Sequence, residues 1–111
     1  MKKLIEKYFK RGSENENDEK YNISLEELKR LKADGAIIID VRSPQEYNEG
    51  HISGSISIPE YEMKKNAENL LENKEENIIV YCSSGTRSRE AQKILQKLGY
   101  TNVYNLITPY P

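Results

Sequence analysis

At 111 residues the chain is long enough to bury one hydrophobic core and too short for two domains. Its 17 basic and 18 acidic side chains leave a formal net charge of -1, which argues against the long basic or acidic field that holds nucleic acid or a membrane surface. One cysteine rules out an internal disulfide, and one cysteine with one histidine rules out a Cys/His zinc site, so a reducing, cytoplasmic setting and no metal are expected.

The opening "MKKLIEKYFK" lacks the continuous apolar run and small-residue cleavage site of an export signal. Leu4, Ile5, Tyr8 and Phe9 recur at helical spacing and predict a short amphipathic helix, and "RGSENENDEK" holds no apolar residue and predicts a solvated connector. Residues 1–20 are therefore expected to precede a domain at 21–111. "YNI" is a short strand candidate, after which Ser24 and Glu27 form a capping box for a helix with Leu25, Leu28 and Leu31 on one face and Gly35 as its stop. "AIIID" is a continuous apolar run, which predicts a strand covered on both faces. Ser43-Pro44-Gln45-Glu46 is a second capping box with proline at the first helical position, opening a helix that Gly50 ends. "SISI" predicts a third strand, followed by a helix whose Met63, Ala67, Leu70 and Leu71 share a face. "NIIVY" predicts the fourth and most apolar strand. A helix with Ala91, Ile94, Leu95 and Leu98 on one stripe follows, closed by Gly99, and "NVYNL" predicts a fifth strand. This alternation predicts an α/β fold with a mostly parallel five-stranded sheet and helices on both faces.

Ligands of an open parallel sheet collect beyond the carboxyl ends of its strands, where Asp40 and Cys82 both fall. "CSSGTRS", residues 82–88, joins a strand end to a helix start, so several backbone N–H groups lack an intrahelical partner and can turn toward one centre. Gly85 permits a conformation that a side chain resists, while Ser83, Ser84, Thr86 and Ser88 are small enough to leave those groups uncovered. With the helix start and Arg87 adding positive charge, Cys82 is expected to be a thiolate nucleophile of depressed pKa. A buried, inert cysteine beside an ordinary polar turn is the alternative reading.

Two separated motifs carry a family resemblance. "IIIDVRSPQEYNEGHISGSISIP" and "IIVYCSSGTRS" resemble, in order and spacing, the strand-Asp-x-Arg segment and the Cys-x-x-Gly-x-Arg-Ser loop of single-domain rhodaneses, which are thiosulfate-type sulfurtransferases. The resemblance covers about residues 21–106. It implies a rhodanese-like fold and a relay in which Cys82 takes the outer sulfur of thiosulfate or a similar donor, carries it as a persulfide, and yields it to cyanide, a thiol or an acceptor protein, with no cofactor. The loop residues Ser83, Ser84, Gly85, Thr86 and Ser88 would hold the persulfide, and Arg87 would bind the donor's sulfonate oxygens. Asp40 and Arg42 match the family's acidic and basic pair beside the loop. Asp40 is expected to accept hydrogen bonds from loop amides and Arg42 to pair with a carboxylate. His51 and Tyr47 read as architectural, and Arg89 as solvated.

The ending "NLITPYP" departs from the glycine pair and short helix that often follow in the family, which would alter one wall of the site's mouth. Two other functions fit the loop less well. A cysteine-dependent phosphatase or arsenate reductase has five residues between cysteine and arginine, whereas four separate Cys82 from Arg87. A non-catalytic binding or regulatory module would not need cysteine, glycine and arginine together.

Overall fold

The computed structural model describes residues 20–107, and the expected amphipathic helix near the N-terminus lies outside the described residues. Along the chain run β1 (Asn22–Ile23), α1 (Leu25–Ala33), β2 (Ile37–Asp40), α2 (Pro44–Glu49), β3 (Ile56–Ser57), a 3-10 turn (Glu60–Glu62), α3 (Met63–Leu70), β4 (Ile78–Tyr81), α4 (Thr86–Lys97) and β5 (Val103–Leu106). Both capping boxes form. Ser24 Oγ accepts from Glu27 N–H while Glu27 Oε1 accepts from Ser24 N–H, at 3.2 and 2.9 Å. Ser43 and Glu46 repeat the exchange at 3.2 and 3.0 Å, with Pro44 in the first turn of α2.

The sheet has the order β1-β5-β4-β2-β3, and every neighbouring pair is parallel. Consecutive strand residues point to opposite faces, so a strand covered on both sides needs an unbroken apolar run. Ile39, Ile78 and Val80 face α3 and α4, packing with Met63, Ala67, Ala91 and Leu95. Ile38, Ile79 and Tyr81 face the other way, onto Leu28 of α1 and Ile52. Among the described residues no helix is long and apolar enough to cross a membrane.

Three expectations are corrected in detail. Leu70 is the last residue of α3 and is 57% exposed, because the chain leaves the helix at Leu71 (φ -124°, ψ 89°), whose side chain alone turns into the core. Leu25, in the first turn of α1, is likewise exposed, since the buried stripe of that helix is carried by Leu28 with partial help from Leu31. The third strand keeps only Ile56–Ser57. It is an edge strand paired with β2 alone, and Ile56 is exposed.

Topology sets the position of the site. From β2 the chain goes through α2 to β3 on one side, and from β4 it goes through α4 to β5 on the other. β2 and β4 are neighbours, with Asp40 in register with Tyr81. The loops leaving their carboxyl ends therefore diverge and open a crevice between them, the position at which open α/β sheets bind ligands.

Candidate active site

The segment after β4 turns at Gly85, whose φ of 93° and ψ of -14° lie in the left-handed region. Apart from Gly85 and its two chain neighbours, nothing lies within 4 Å of where a Cβ would be built, so the demand for glycine is conformational and not steric crowding. This turn sends the Gly85 N–H back to Cys82 Sγ at 3.0 Å. The helix that begins one residue later has no side-chain oxygen capping its N-terminus. Instead, the N–H of Ser88, in the first turn of α4, points at the same sulfur at 3.3 Å. Cys82 Sγ thus occupies the place of a capping oxygen and receives the positive end of a 12-residue helix. The Ser88 hydroxyl lies 3.4 Å from the sulfur and 3.1 Å from the Gly85 carbonyl oxygen: it accepts from the thiol while donating to that carbonyl, and can turn its hydrogen to the sulfur once the thiol ionises.

Cys82 is 1% exposed, on the floor of the loop. Burial pushes its thiol up, but the Ser88 hydroxyl and the backbone N–H groups of Ser88, Ser84 and Gly85 together outweigh burial and hold the pKa below that of an ordinary thiol. An alanine at position 85 is expected to cost about 1–2 kcal/mol in the left-handed conformation. If the backbone relaxes to escape that strain, the Gly85 N–H leaves the sulfur. In Gly85→Ala the pH midpoint of Cys82 alkylation should then move upward; an unchanged midpoint in a destabilised variant would mean that this N–H does not tune the thiol.

Arg87, the expected anion ligand, is already engaged. Its Nη1 and Nη2 donate to Glu46 Oε1 and Oε2 at 2.8 and 3.1 Å, and Nη2 also donates to Ser83 Oγ at 3.1 Å. Glu46 Oε1 accepts in addition from the N–H and the hydroxyl of Ser43, each at 3.0 Å. The Arg87 hydrogen bond first, and the Ser43 N–H second, lower the Glu46 carboxyl to about 2. Glu46 is therefore a site residue that sequence reasoning saw only as the end of a capping box.

Asp40 is fully buried and does not reach the loop amides expected for it. Its Oδ1 accepts from the Arg42 N–H and Nε, both at 2.9 Å, and its Oδ2 accepts from Arg42 Nη2 at 2.6 Å and from the Tyr81 hydroxyl at 2.8 Å. The physical reason is register. Asp40 lies beside Tyr81, one residue short of the loop, and Arg42 folds back over it. The carboxylate that Arg42 was expected to find is Asp40 itself, and this hydrogen bond raises the affinity of the guanidinium for its proton. Arg42 Nη2 also donates to the Gly50 carbonyl at 2.6 Å, which ties the end of α2 to the pair. The Tyr81 hydroxyl, besides donating to Asp40, accepts from the Ile52 N–H at 2.9 Å, and burial pushes its pKa up to about 12. Tyr81 was not anticipated as part of this network.

His51 is exposed, stacked on Tyr47 at 3.7 Å between ring centroids, with Nδ1 2.8 Å from the Tyr47 carbonyl oxygen. Tyr47 in turn donates to the Ser55 carbonyl at 2.7 Å. On the β5 side of the loop a cleft of about 330 Å³ is lined by Ser84, Gly85, Thr86, Arg89, Glu90 and Asn105, among others. Arg89, expected to be solvated, forms part of that wall. Of the residues expected at the site, Ser84, Gly85 and Ser88 hydrogen-bond to Cys82 Sγ, Arg87 and Ser83 pair with each other beside it, Thr86 lines the cleft, and Asp40 and Arg42 lie at and just beyond the end of the adjoining strand β2.

A family model described as Rhodanese-like domain matches residues 24–109. The chain is 40% identical over 67 residues to thiosulfate sulfurtransferase PspE of Escherichia coli, a match covering 60% of this chain and 64% of PspE, just under two thirds of that protein's length. It is 33% identical over 108 residues to thiosulfate:glutathione sulfurtransferase of Saccharomyces cerevisiae, covering 82% of this chain and 78% of the yeast protein. Among solved structures, the human single-domain sulfurtransferase TSTD1 superposes with a TM-score of 0.71 at 31% identity, covering 81% of this chain and 91% of that one.

Proposed function

Because the chain belongs to the rhodanese-like domain family, we propose that it is a sulfurtransferase that moves a sulfane sulfur from thiosulfate or a similar donor to a thiophilic acceptor through a persulfide on Cys82. One observation carries this reading: the cysteine sulfur accepts N–H groups from Gly85 and Ser88 at the start of α4, an arrangement that favours the anion at that atom. The names of the relatives support sulfur transfer as the class of chemistry.

In the first half-reaction the Cys82 thiolate attacks the outer sulfur of thiosulfate. A Cys82–sulfur bond forms, the sulfur–sulfur bond of the donor breaks, and its electron pair leaves on sulfite. The protein then carries the charge on the outer persulfide sulfur. In the second, cyanide or a thiolate attacks that outer sulfur, departs as thiocyanate or as a new persulfide, and returns Cys82 as the thiolate. The halves give ping-pong kinetics. The N–H groups of Gly85 and Ser88 hold the charge while it is on Cys82 Sγ, before the first half-reaction and after the second. The buried sulfur admits a slim donor, whereas the persulfide sulfur stands about 2 Å farther out, where a bulkier acceptor, including a protein thiol, can reach it. Arg87, partly exposed and paired with Glu46, would have to exchange that carboxylate for the donor's oxygens in order to bind them. The chemistry needs no cofactor.

The test is direct. The protein incubated with thiosulfate and desalted should gain the mass of one sulfur atom, and cyanide should remove it as thiocyanate. Unchanged mass together with turnover of an aryl phosphate would replace this reading by the phosphatase one.

A further inference from the structure

Arg42 and Arg87, the two arginines expected to serve the site, each hold a carboxylate. Arg42 is buried against Asp40, and Arg87 is gripped through both Nη atoms by both oxygens of Glu46. The two-pronged edge of Arg87 is the edge that a sulfonate would take, since guanidinium recognises paired oxygens in this geometry. A dianionic donor approaching a thiolate therefore meets an arginine already neutralised. Glu46 does not swing clear when that arginine is drawn away, because the Ser43 N–H and hydroxyl continue to hold its Oε1. It stays beside Arg87 as a negative charge held by Ser43. The pair is nevertheless open to competition: Arg87 and Glu46 side chains are 38% and 34% exposed, where an ion pair contributes little and a ligand can displace it.

We propose that Glu46 is a specificity-determining residue, which by occupying the guanidinium of Arg87 disfavours dianionic sulfur donors and biases the site toward donors of lower charge, such as organic persulfides. This rests on the sulfurtransferase reading. The charge effect acts on any anion that approaches Cys82, so it can be measured without sulfur transfer.

The variant is Glu46→Gln. Glutamine at the third position of α2 keeps a capping-box acceptor and so preserves the local fold while removing the charge. At low salt and fixed pH, Cys82 is alkylated in parent and variant by iodoacetate, an anion, and by iodoacetamide, which is neutral. The iodoacetate-to-iodoacetamide rate ratio should rise by about three- to fivefold in the variant, the range of a partly exposed ion pair. KM for thiosulfate should fall by a similar factor, with kcat little changed. A loosened loop or a shifted thiol pKa would speed both reagents together and leave the ratio unchanged, and an unchanged ratio overturns the proposal. So does a raised ratio accompanied by an unaltered KM for thiosulfate. A raised ratio with no sulfur loaded on either protein leaves the charge role of Glu46 standing and removes the sulfurtransferase reading instead.

Discussion

Asp40→Asn is expected to destabilise the domain by about 3–5 kcal/mol, the cost of leaving one member of a buried ion pair alone. Asp40 is fully buried and Arg42 only 6% exposed, so neither charge can fall back on water when its partner is removed. The asparagine keeps nearly the same volume and can still accept from Tyr81, which isolates the charge as the variable. Arg42 cannot shed its proton to escape, because a guanidinium remains charged at any accessible pH. The network also ties together pieces that are distant in sequence: β2 through Asp40, β4 through Tyr81, the end of α2 through Gly50 and the following turn through Ile52. Urea unfolding should show a lower midpoint with an unchanged slope. Removing both charges, as Asp40→Leu with Arg42→Met, should recover much of the loss, since a well-packed apolar pair often equals a buried ionic one. A loss below about 1 kcal/mol in the single variant would mean that water reaches the pair.

Cys82→Ser should lose sulfur loading altogether while changing stability little. A serine hydroxyl is not ionised at neutral pH and forms no persulfide, so no mass gain from thiosulfate is expected. Its oxygen can still accept from the Ser88 and Gly85 N–H groups and cap α4. Cys82→Ala removes the acceptor as well as the nucleophile, and should cost about 1 kcal/mol more than the serine variant, the usual worth of an N-cap. Serine and alanine variants of equal stability would show that the sulfur is not the cap of this helix.

Local chemistry was the most legible part of the fold. Both capping boxes, the stops at Gly35, Gly50 and Gly99, and the unbroken apolar runs of β2 and β4 each depend on neighbours a few residues away, and each reads directly from the chain. The Cys82 loop was legible for the same reason, since the groups that surround the sulfur lie within six residues of it. What could not be read were the partners that the sheet brings together. Glu46 meets Arg87, and Tyr81 meets Asp40, across 41 positions each, and only the adjacency of β2 and β4 makes those pairs. Amphipathic spacing also overran the end of α3. Leu70 and Leu71 both fit the apolar stripe, and it is the departure from helical geometry at Leu71 that decides which of them turns inward.

The pairing of Asn22 with Asn105 places the first strand of the sheet beside the last, at its edge. A chain emerging from the ribosome can form the β3-β2-β4 portion once residue 81 is out, but β4 then presents an open hydrogen-bonding edge, and β1 waits without a neighbour until β5 arrives. Completion is thus a late event spanning nearly the full length of the domain, which slows closure and leaves a nascent intermediate exposed to strand addition by other chains. Chaperones that shield such an edge would be of most use to this domain in the interval before Val103–Leu106 pairs with β4.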